Sequence, residues 1–285
     1  MVQLEPIADH AVVDTITQQE TRSCVLGGIS LGKYAIAVET GDSLEVGVAL
    51  RKALEQAWGI PVKYWFLSHT HNDHRGGYEA FRDATLIASR RCLENMPKRI
   101  RLGRWPQEVF DEQWVLEDDL SIHCFQVGGH SVGHSVVYVP QERILFGCDL
   151  FIVQPVNFGL PFMSYYQNNP KQTGNPEEYL MAFKKFKALE IDIIVPGHGH
   201  LVRNPQQYLD EQIAFFKDLK ASVMTAIDEG TKLEEFAFPR VGPIAQAYQI
   251  AEARRQRSRN LRFLENYLLH LKTSFYNYYQ RKSTR

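Results

Sequence analysis

Over the first two-thirds of the chain, short apolar runs rich in β-branched and aromatic residues alternate with stretches of helical period, the pattern of a layered α/β fold. Tyr34 to Glu39 reads as a strand. Ser43 then stands as a helix N-cap, with Leu44, Val48, Leu54 and Ala57 as an apolar stripe and Gly59 as a stop, which predicts a helix to about Trp58. Pro61 opens a second strand, Val62 to Leu67, and a short helix over Tyr78 to Phe81 leads to a third, Ala84 to Ala88. That strand-helix-strand rhythm implies a partly parallel sheet. From Trp114 to Phe151 the runs crowd together (WVLEDDLSIHCFQV, SVVYVP, RILFGCDLF) with a turn at Pro140 to Arg143, so hairpins replace crossovers. Residues 152 to 176 keep no period and are rich in Pro, Asn, Gly and Tyr, which predicts a long loop. Next come a helix from Glu177 to Leu189, an apolar run Ile191 to Val195 that stops at Pro196, and a helix from Pro205 to about Asp228.

The tail has a different character. Leu261, Leu264, Leu268, Leu271, Phe275 and Tyr278 recur at steps of three and four, placing one apolar seam along a helix that the chain's own surface or a homodimer partner must cover. Residues 250 to 285 also carry nine basic side chains against Glu252 and Glu265, a local net of +7, whereas the whole chain is at −1. No aromatic stacking pattern or groove-reading motif accompanies that charge, so neither nucleic acid nor membrane is the expected partner. We read residues 1–230 as one domain and 231–285 as a helical C-terminal extension, and a cut near residue 245 as the way to separate assembly from activity.

Composition narrows the class. With 285 residues, 44% of them hydrophobic, the chain can bury a sizeable core, which excludes a disordered polymer. No stretch of about 18 uncharged apolar residues occurs, and Met1-Val-Gln-Leu-Glu-Pro has neither a basic nor an apolar leader segment, so a cytoplasmic location is expected. Cys24, Cys92, Cys124 and Cys148 are far apart without a C-x-x-C pair, which argues against a disulfide scaffold or a zinc ribbon.

The histidines carry the chemistry, since seven of the ten fall in three tight groups. After the apolar strand comes Ser68-His69-Thr-His71-Asn-Asp73-His74-Arg-Gly76-Gly77. In extended backbone alternate side chains share a side, so His69, His71 and Asp73 point into one space, and His74 joins if the chain turns, which Gly76 and Gly77 permit. Three imidazoles and a carboxylate within six residues suit zinc, with iron or manganese also open. His130 follows another apolar strand in the glycine-rich turn Gly128-Gly-His130-Ser-Val-Gly-His134; Asp149 and His198 each end a further apolar run. His134 and His200 each lie near one of these donors and are expected to support ligand orientation by hydrogen bonding. Tyr165 and Tyr166, in the long loop, are expected to line a substrate mouth.

Together these residues resemble the metallo-β-lactamase fold superfamily, including its glyoxalase II-like thioesterases. The H-x-H-x-D-H motif is complete at His69, His71, Asp73 and His74, and the later single ligands match at His130, Asp149 and His198. The resemblance implies a four-layer αβ/βα sandwich with metals at one edge of its two sheets. It further implies that His69, His71 and His130 hold one metal, that Asp73, His74 and His198 hold the other, and that Asp149 bridges both. Three departures matter. The commonest β-lactamase subclass has cysteine at the position of Asp149, which disfavours antibiotic hydrolysis; flavodiiron proteins carry a glutamate at that of His71; and Glu39 stands where an aspartate usually precedes Thr-Gly.

Two cations sharing one water lower its pKa from about 15.7 towards about 7, so hydroxide is the expected nucleophile and Asp73 its orienting group and proton carrier. The leading reading is a dinuclear metal-dependent hydrolase of a small ester, thioester or lactone. Competing readings are a mononuclear iron persulfide dioxygenase, a β-lactam hydrolase and a non-catalytic, metal-stabilised binding or assembly protein.

Overall fold

The structure, a computed structural model, describes residues 2–14, 24–98, 100, 105–153, 156–163 and 174–283. Tyr165 and Tyr166, expected at a substrate mouth, lie outside the described residues. Among the described residues, seven strands form one sheet in chain order: β1 (Leu4–Ala8), β2 (Ala11–Asp14), β3 (Gly27–Ser30), β4 (Ala35–Val38), β5 (Val62–Phe66), β6 (Thr85–Ser89) and β7 (Gln107–Phe110). The first four pair antiparallel, and β4 to β7 run parallel. A second sheet holds β8 (Gln113–Glu117), β9 (Ser121–Gln126), β10 (Ser135–Val139), β11 (Ile144–Ile152) and β12 (Ile193–His198), with β12 at one edge and parallel to β11.

Among the described residues the α-helices are α1 (Leu44–Trp58), α2 (Asn72–Arg75), α3 (Arg90–Glu94), α4 (Pro176–Lys187), α5 (Pro205–Asp228), α6 (Gly242–Ala253) and α7 (Arg257–Ser283), with short 3-10 helices at Tyr78–Phe81 and Val156–Gly159. Three apolar clusters separate four layers. Phe66, Ile87, Ile122, Val137, Phe146 and Val195 fill the space between the sheets. Leu50, Leu54, Trp65 and Phe81 join α1 to the outer face of the first sheet, and Phe151, Phe183, Phe216 and Phe275 join α4, α5 and α7 to the outer face of the second. The αβ/βα sandwich is therefore present, with C-terminal helices added to its second outer layer.

Several local expectations change. The Ser43 side chain caps α1 and Gly59 closes it, but the buried face is Gly47, Leu50 and Leu54; Leu44 and Val48 are 44% and 52% exposed, and Ala57 is exposed. The stripe is rotated because α1 packs through Gly47 against the backbone of Gly77. WVLEDDLSIHCFQV divides into β8 and β9 around Asp118 and Asp119. The last strand does not stop at Pro196 but runs to His198, which an edge position tolerates because no neighbour needs the missing N–H. The apolar seam of the tail lies against the same chain, with Leu264, Leu271 and Phe275 buried in the cluster that also holds Phe151 and Phe216. No helix of the described residues is long and apolar enough to cross a membrane.

Candidate metal centre

Parallel pairing sets the site at one sheet edge. Because β4 and β5 run side by side, the segments leaving their C-terminal ends are neighbours: Glu39 N–H donates to Phe66 O, and Thr40 donates to His74 O through both its N–H (2.8 Å) and its hydroxyl (3.1 Å). From the other sheet, the segment after β9 brings His130, β11 brings Asp149 and the end of β12 brings His198. The expected extended run through Asp73 is cut short, since His71 is already the N-cap of α2 and Asp73 and His74 are delivered by that single turn of helix. Gly76 and Gly77 are not there for unusual dihedrals, Gly76 having φ −59° and Gly77 φ −87°. They permit close approach: a Cβ on either would run into the carbonyl of Asp42 or Thr40.

The two oxygens of Asp149 face different groups of donors. Its Oδ2 lies 3.7 Å from His69 Nε2 and 3.5 Å from His130 Nε2, which is itself 3.2 Å from His71 Nδ1. Its Oδ1 lies 3.0 Å from His74 Nε2 and 3.4 Å from His198 Nε2, and Asp73 Oδ2 lies 3.6 Å and 3.3 Å from the same two nitrogens. Two sets of donors thus meet across one carboxylate, His69, His71, His130 and Asp149 on one side and Asp73, His74 and His198 on the other.

These spacings fit cations. Nitrogen and oxygen donors about 2.0–2.2 Å from a tetrahedral ion lie roughly 3.3–3.6 Å from one another, and the separations here, 3.0 to 3.7 Å, bracket that range. Hydrogen bonding accounts for only part of them: His130 Nε2 and His71 Nδ1 are within hydrogen-bonding distance, whereas His69 Nε2, His74 Nε2 and Asp149 Oδ1 are buried with no hydrogen-bond partner although charged atoms lie within 4 Å. An unsatisfied buried polar atom costs about 1–3 kcal/mol, more when charged, so three that converge call for a shared partner.

Electrostatics favour ligation as well. Burial lowers the pKa of His69, His71 and His130, well below the ordinary value for His69 and His130, leaving neutral imidazoles with lone pairs to give. Burial alone would raise Asp149 and Asp73, but His74, His198 and, for Asp149, His130 hold both below the usual carboxylate range. Those carboxylates in turn outweigh burial at His74, pushed well above its ordinary value, and at His198, pushed up to about 9. In the metal-free protein these two imidazoles carry protons that a cation must displace.

A pH dependence follows. Since His198 titrates near 9 in the folded chain and near 6.5 unfolded, its contribution to metal-free stability is complete below about 6.5 and lost as pH rises through about 9. Metal binding needs the deprotonated ring and strengthens over the same window. The rise in Tm on adding zinc is expected to grow from pH 6 to pH 9, read by thermal melts with and without metal; a constant or shrinking rise would contradict it.

Behind the donors stands a set of supports. Ser68 Oγ lies 2.8 Å from His69 Nδ1, and the Phe162 carbonyl 2.8 Å from His130 Nδ1. Tyr179 of α4 donates to that same carbonyl (2.7 Å) and to Asp149 O (3.3 Å). Glu39 Oε1 accepts from Ser68 N–H (3.2 Å) and lies 3.5 Å from His74 Nδ1, so glutamate takes the supporting place at this position. Its φ of 65°, like the 47° of Cys148 beside Asp149, is sparsely occupied by non-glycine residues, a strain that gathers at functional sites. Ser68 and Glu39 carry a local signal, each adjoining a strand end; Phe162, in the segment expected to be a long loop, and Tyr179, within an expected helix, carry none.

His134 is buried at the back of the cluster, its ring 5.1 Å from that of His69 and its Nε2 3.3 Å from Gly147 O; burial pushes its pKa down to about 3. His200, expected to support a ligand, is instead exposed, because Gly199 with φ 95° turns the chain directly after His198.

Replacing Glu39 by glutamine keeps the shape and removes the charge facing His74 Nδ1. The expected outcome is a loss of about 10–100-fold in metal affinity, as for other carboxylates behind metal-binding imidazoles, read by chelator competition; unchanged affinity would leave Glu39 a packing residue.

A family model described as the metallo-beta-lactamase superfamily matches residues 29–198, from β3 to the last histidine of the cluster. The chain belongs to the metallo-beta-lactamase superfamily. Among relatives of this superfamily member, "Beta-lactamase-like protein 2 homolog" of Caenorhabditis elegans is 23% identical over 69% of this chain and 62% of its own length. "Atrochrysone carboxyl ACP thioesterase" of Aspergillus fumigatus is 21% identical over 68% of this chain and 56% of its own length. The chain therefore spans less than two thirds of the length of these relatives. Among solved structures, the stereoselective inverting sec-alkylsulfatase Pisa1 of Pseudomonas sp. superposes with a TM-score of 0.72 at 13% identity, over 98% of this chain and 50% of that one. That likeness concerns the fold, and it takes in the C-terminal helices as well as the sandwich.

Proposed function

We propose that this protein is a dinuclear metal-dependent hydrolase that uses water on a small ester, thioester or lactone, with two divalent cations, zinc foremost. One observation carries the reading: the two oxygens of a single buried carboxylate, Asp149, face two separate sets of imidazole and carboxylate donors. His69, His71 and His130 would hold one cation, Asp73, His74 and His198 the other, with Asp149 shared between them. Two cations in these places would supply Lewis acidity towards a carbonyl oxygen and an acidified water.

The chain's own residues supply the rest. Asp73, its side chain 29% exposed, is the carboxylate at the solvent side, and as an anion it can orient water and carry a proton to the leaving group. Cys148 offers no competing nucleophile, because burial holds its thiol well above the ordinary range, and Cys24 is likewise pushed up to about 12. The thioesterase name of the Aspergillus relative supports an acyl substrate. Four free, buried cysteines fit the reducing cytoplasm that we propose as its location.

The test is metal quantification on protein purified without chelator, beside turnover of thioesters, esters, lactones, lactams and phosphodiesters and a metal-stripped control. Two zinc ions per chain with metal-dependent cleavage of a thioester, ester or lactone is the expected outcome. One iron per chain with oxygen uptake on a persulfide would replace this reading with oxygen chemistry, and lactam cleavage alone would replace the substrate class.

A further inference from the structure

Helix α2 is a single turn, yet it delivers two of the donors, Asp73 and His74. One turn leaves most of its carbonyls without partners inside the helix, and so short a helix is marginal on its own. Groups from distant segments take up those carbonyls. Thr40 donates twice to His74 O, and the thiol of Cys24 donates to Asp73 O (3.0 Å). Cys24 is fully buried and lies, with Val25, ahead of the residues 29–198 that the family model matches. The N–H of Val25 donates to Gly197 O (2.7 Å), directly before His198. Gly197 itself packs so closely on Asp149 that a Cβ there would meet the carboxylate. Two adjacent residues therefore hold α2, which follows β5 of the first sheet, to β12 of the second, across the half of the centre formed by Asp73, His74 and His198. In that half His74 Nε2 and Asp149 Oδ1 face each other at 3.0 Å, both buried and both without a hydrogen-bond partner.

We propose that Cys24 is a positioning residue of the metal centre, whose thiol fixes the turn carrying Asp73 and His74 at the separation from His198 that a cation requires. The proposal rests on the dinuclear reading above and gives a task to a side chain outside the donor motif. Asp73 Oδ2 lies 3.3 Å from His198 Nε2 and 3.6 Å from His74 Nε2, although α2 and β12 belong to different sheets and share no ladder. Their separation is therefore set by whatever chain touches both, and residues 24 and 25 do so. The other half has holds of its own: Ser68 Oγ stands behind His69 and the Phe162 carbonyl behind His130. Loss of the thiol thus acts on one cation and spares the other.

The experiment measures the two zinc affinities by chelator competition, with urea melts of the metal-free proteins to establish folding. Cys24→Ala is expected to weaken one affinity by about tenfold, the lower end of the range for groups behind metal ligands, and to leave the other at its wild-type value. Cys24→Ser returns a donor and is expected to recover most of the loss. Cys124→Ala, the same truncation at a fully buried cysteine between the sheets, is expected to change neither affinity. In a His198→Ala background, which disables the half concerned, Cys24→Ala is expected to have no further effect on the ion that remains. Unchanged affinities, equal weakening of both ions, the same loss with Cys124→Ala, or a loss that persists in the His198→Ala background overturns the proposal and leaves Cys24 a packing residue. Should Cys24→Ala not fold, Cys24→Val takes its place, since it removes the donor while filling the space. Wild-type protein that holds fewer than two ions refutes the dinuclear reading separately. Positioning is then read in the metal-free protein by imidazole NMR: a His198 resonance displaced by Cys24→Ala but not by Cys124→Ala supports it, and an unmoved one overturns it.

Discussion

Asp149→Ala is expected to empty both halves of the metal centre and to abolish turnover, the largest effect of any single substitution at the site. Each half loses a donor at once, because Oδ2 faces His69 and His130 while Oδ1 faces His74 and His198. What remains is three neutral imidazoles on one side and two imidazoles with Asp73 on the other, with no anion between two cations that would repel each other. The loss should exceed by far the roughly 10–100-fold that follows removal of a partner behind a ligand. Asp149→Asn separates charge from shape, since it keeps the volume against Gly197, where even a Cβ would collide with the carboxylate. Elemental analysis after desalting, with circular dichroism to establish folding, reads both variants. Two metals and full turnover in Asp149→Ala would mean that another group joins the two halves.

Deleting α7 by ending the chain after Ala253 is expected to give protein that does not fold. A cut near residue 245 tests whether the seam serves assembly, and the packing of that seam against the same chain is the reason to expect loss of folding. Leu264, Tyr267, Leu271, Phe275, Tyr276 and Tyr279 are all buried, and the Phe275 ring packs, tilted, 5.6 Å from that of Phe216, whose ring in turn lies 4.7 Å from that of Tyr179. Burying one large apolar side chain is worth about 1.5–3 kcal/mol, while a whole domain keeps only about 5–15 kcal/mol. Losing six, about 9–18 kcal/mol, consumes most or all of that reserve. Tyr267 adds a specific tie, donating to Leu160 O (2.7 Å) in the segment whose Phe162 carbonyl faces His130. Soluble expression, far-UV circular dichroism and urea melts give the measurement. A graded version is Phe275→Ala, expected to cost about 3–5 kcal/mol and to lower the urea midpoint while the purified protein still binds metal. A truncated chain that melts cooperatively near the full-length midpoint would show that α7 is an appendage.

Much of the local structure was written in short windows. Ser43 and Gly59 bracket α1 as an N-cap and a left-handed C-terminus, and Pro205 opens α5, because capping is chemistry within one turn of helix. Which face of α1 is buried was not legible, since that depends on Gly47 meeting Gly77 from a distant segment. Likewise the exposed position of His200 follows from the turn at Gly199, and the support of His130 follows from a carbonyl 32 residues away.

By itself the sequence determined the donor set: which imidazoles and carboxylates exist, their order, and their placement directly after apolar runs. It also determined a layered α/β architecture, because hydrophobic period and turn residues are local properties. Only the tertiary structure decided that Asp149 divides its oxygens between two groups, that α2 rather than extended backbone delivers Asp73 and His74, and that Glu39 backs His74. These arrangements depend on the parallel register of β4 with β5 and on the irregular pairing of β11 with β12 between Phe146 and Ile152. Strand register and sheet-on-sheet packing are set by contacts between residues far apart in the chain, and a linear pattern carries no record of them.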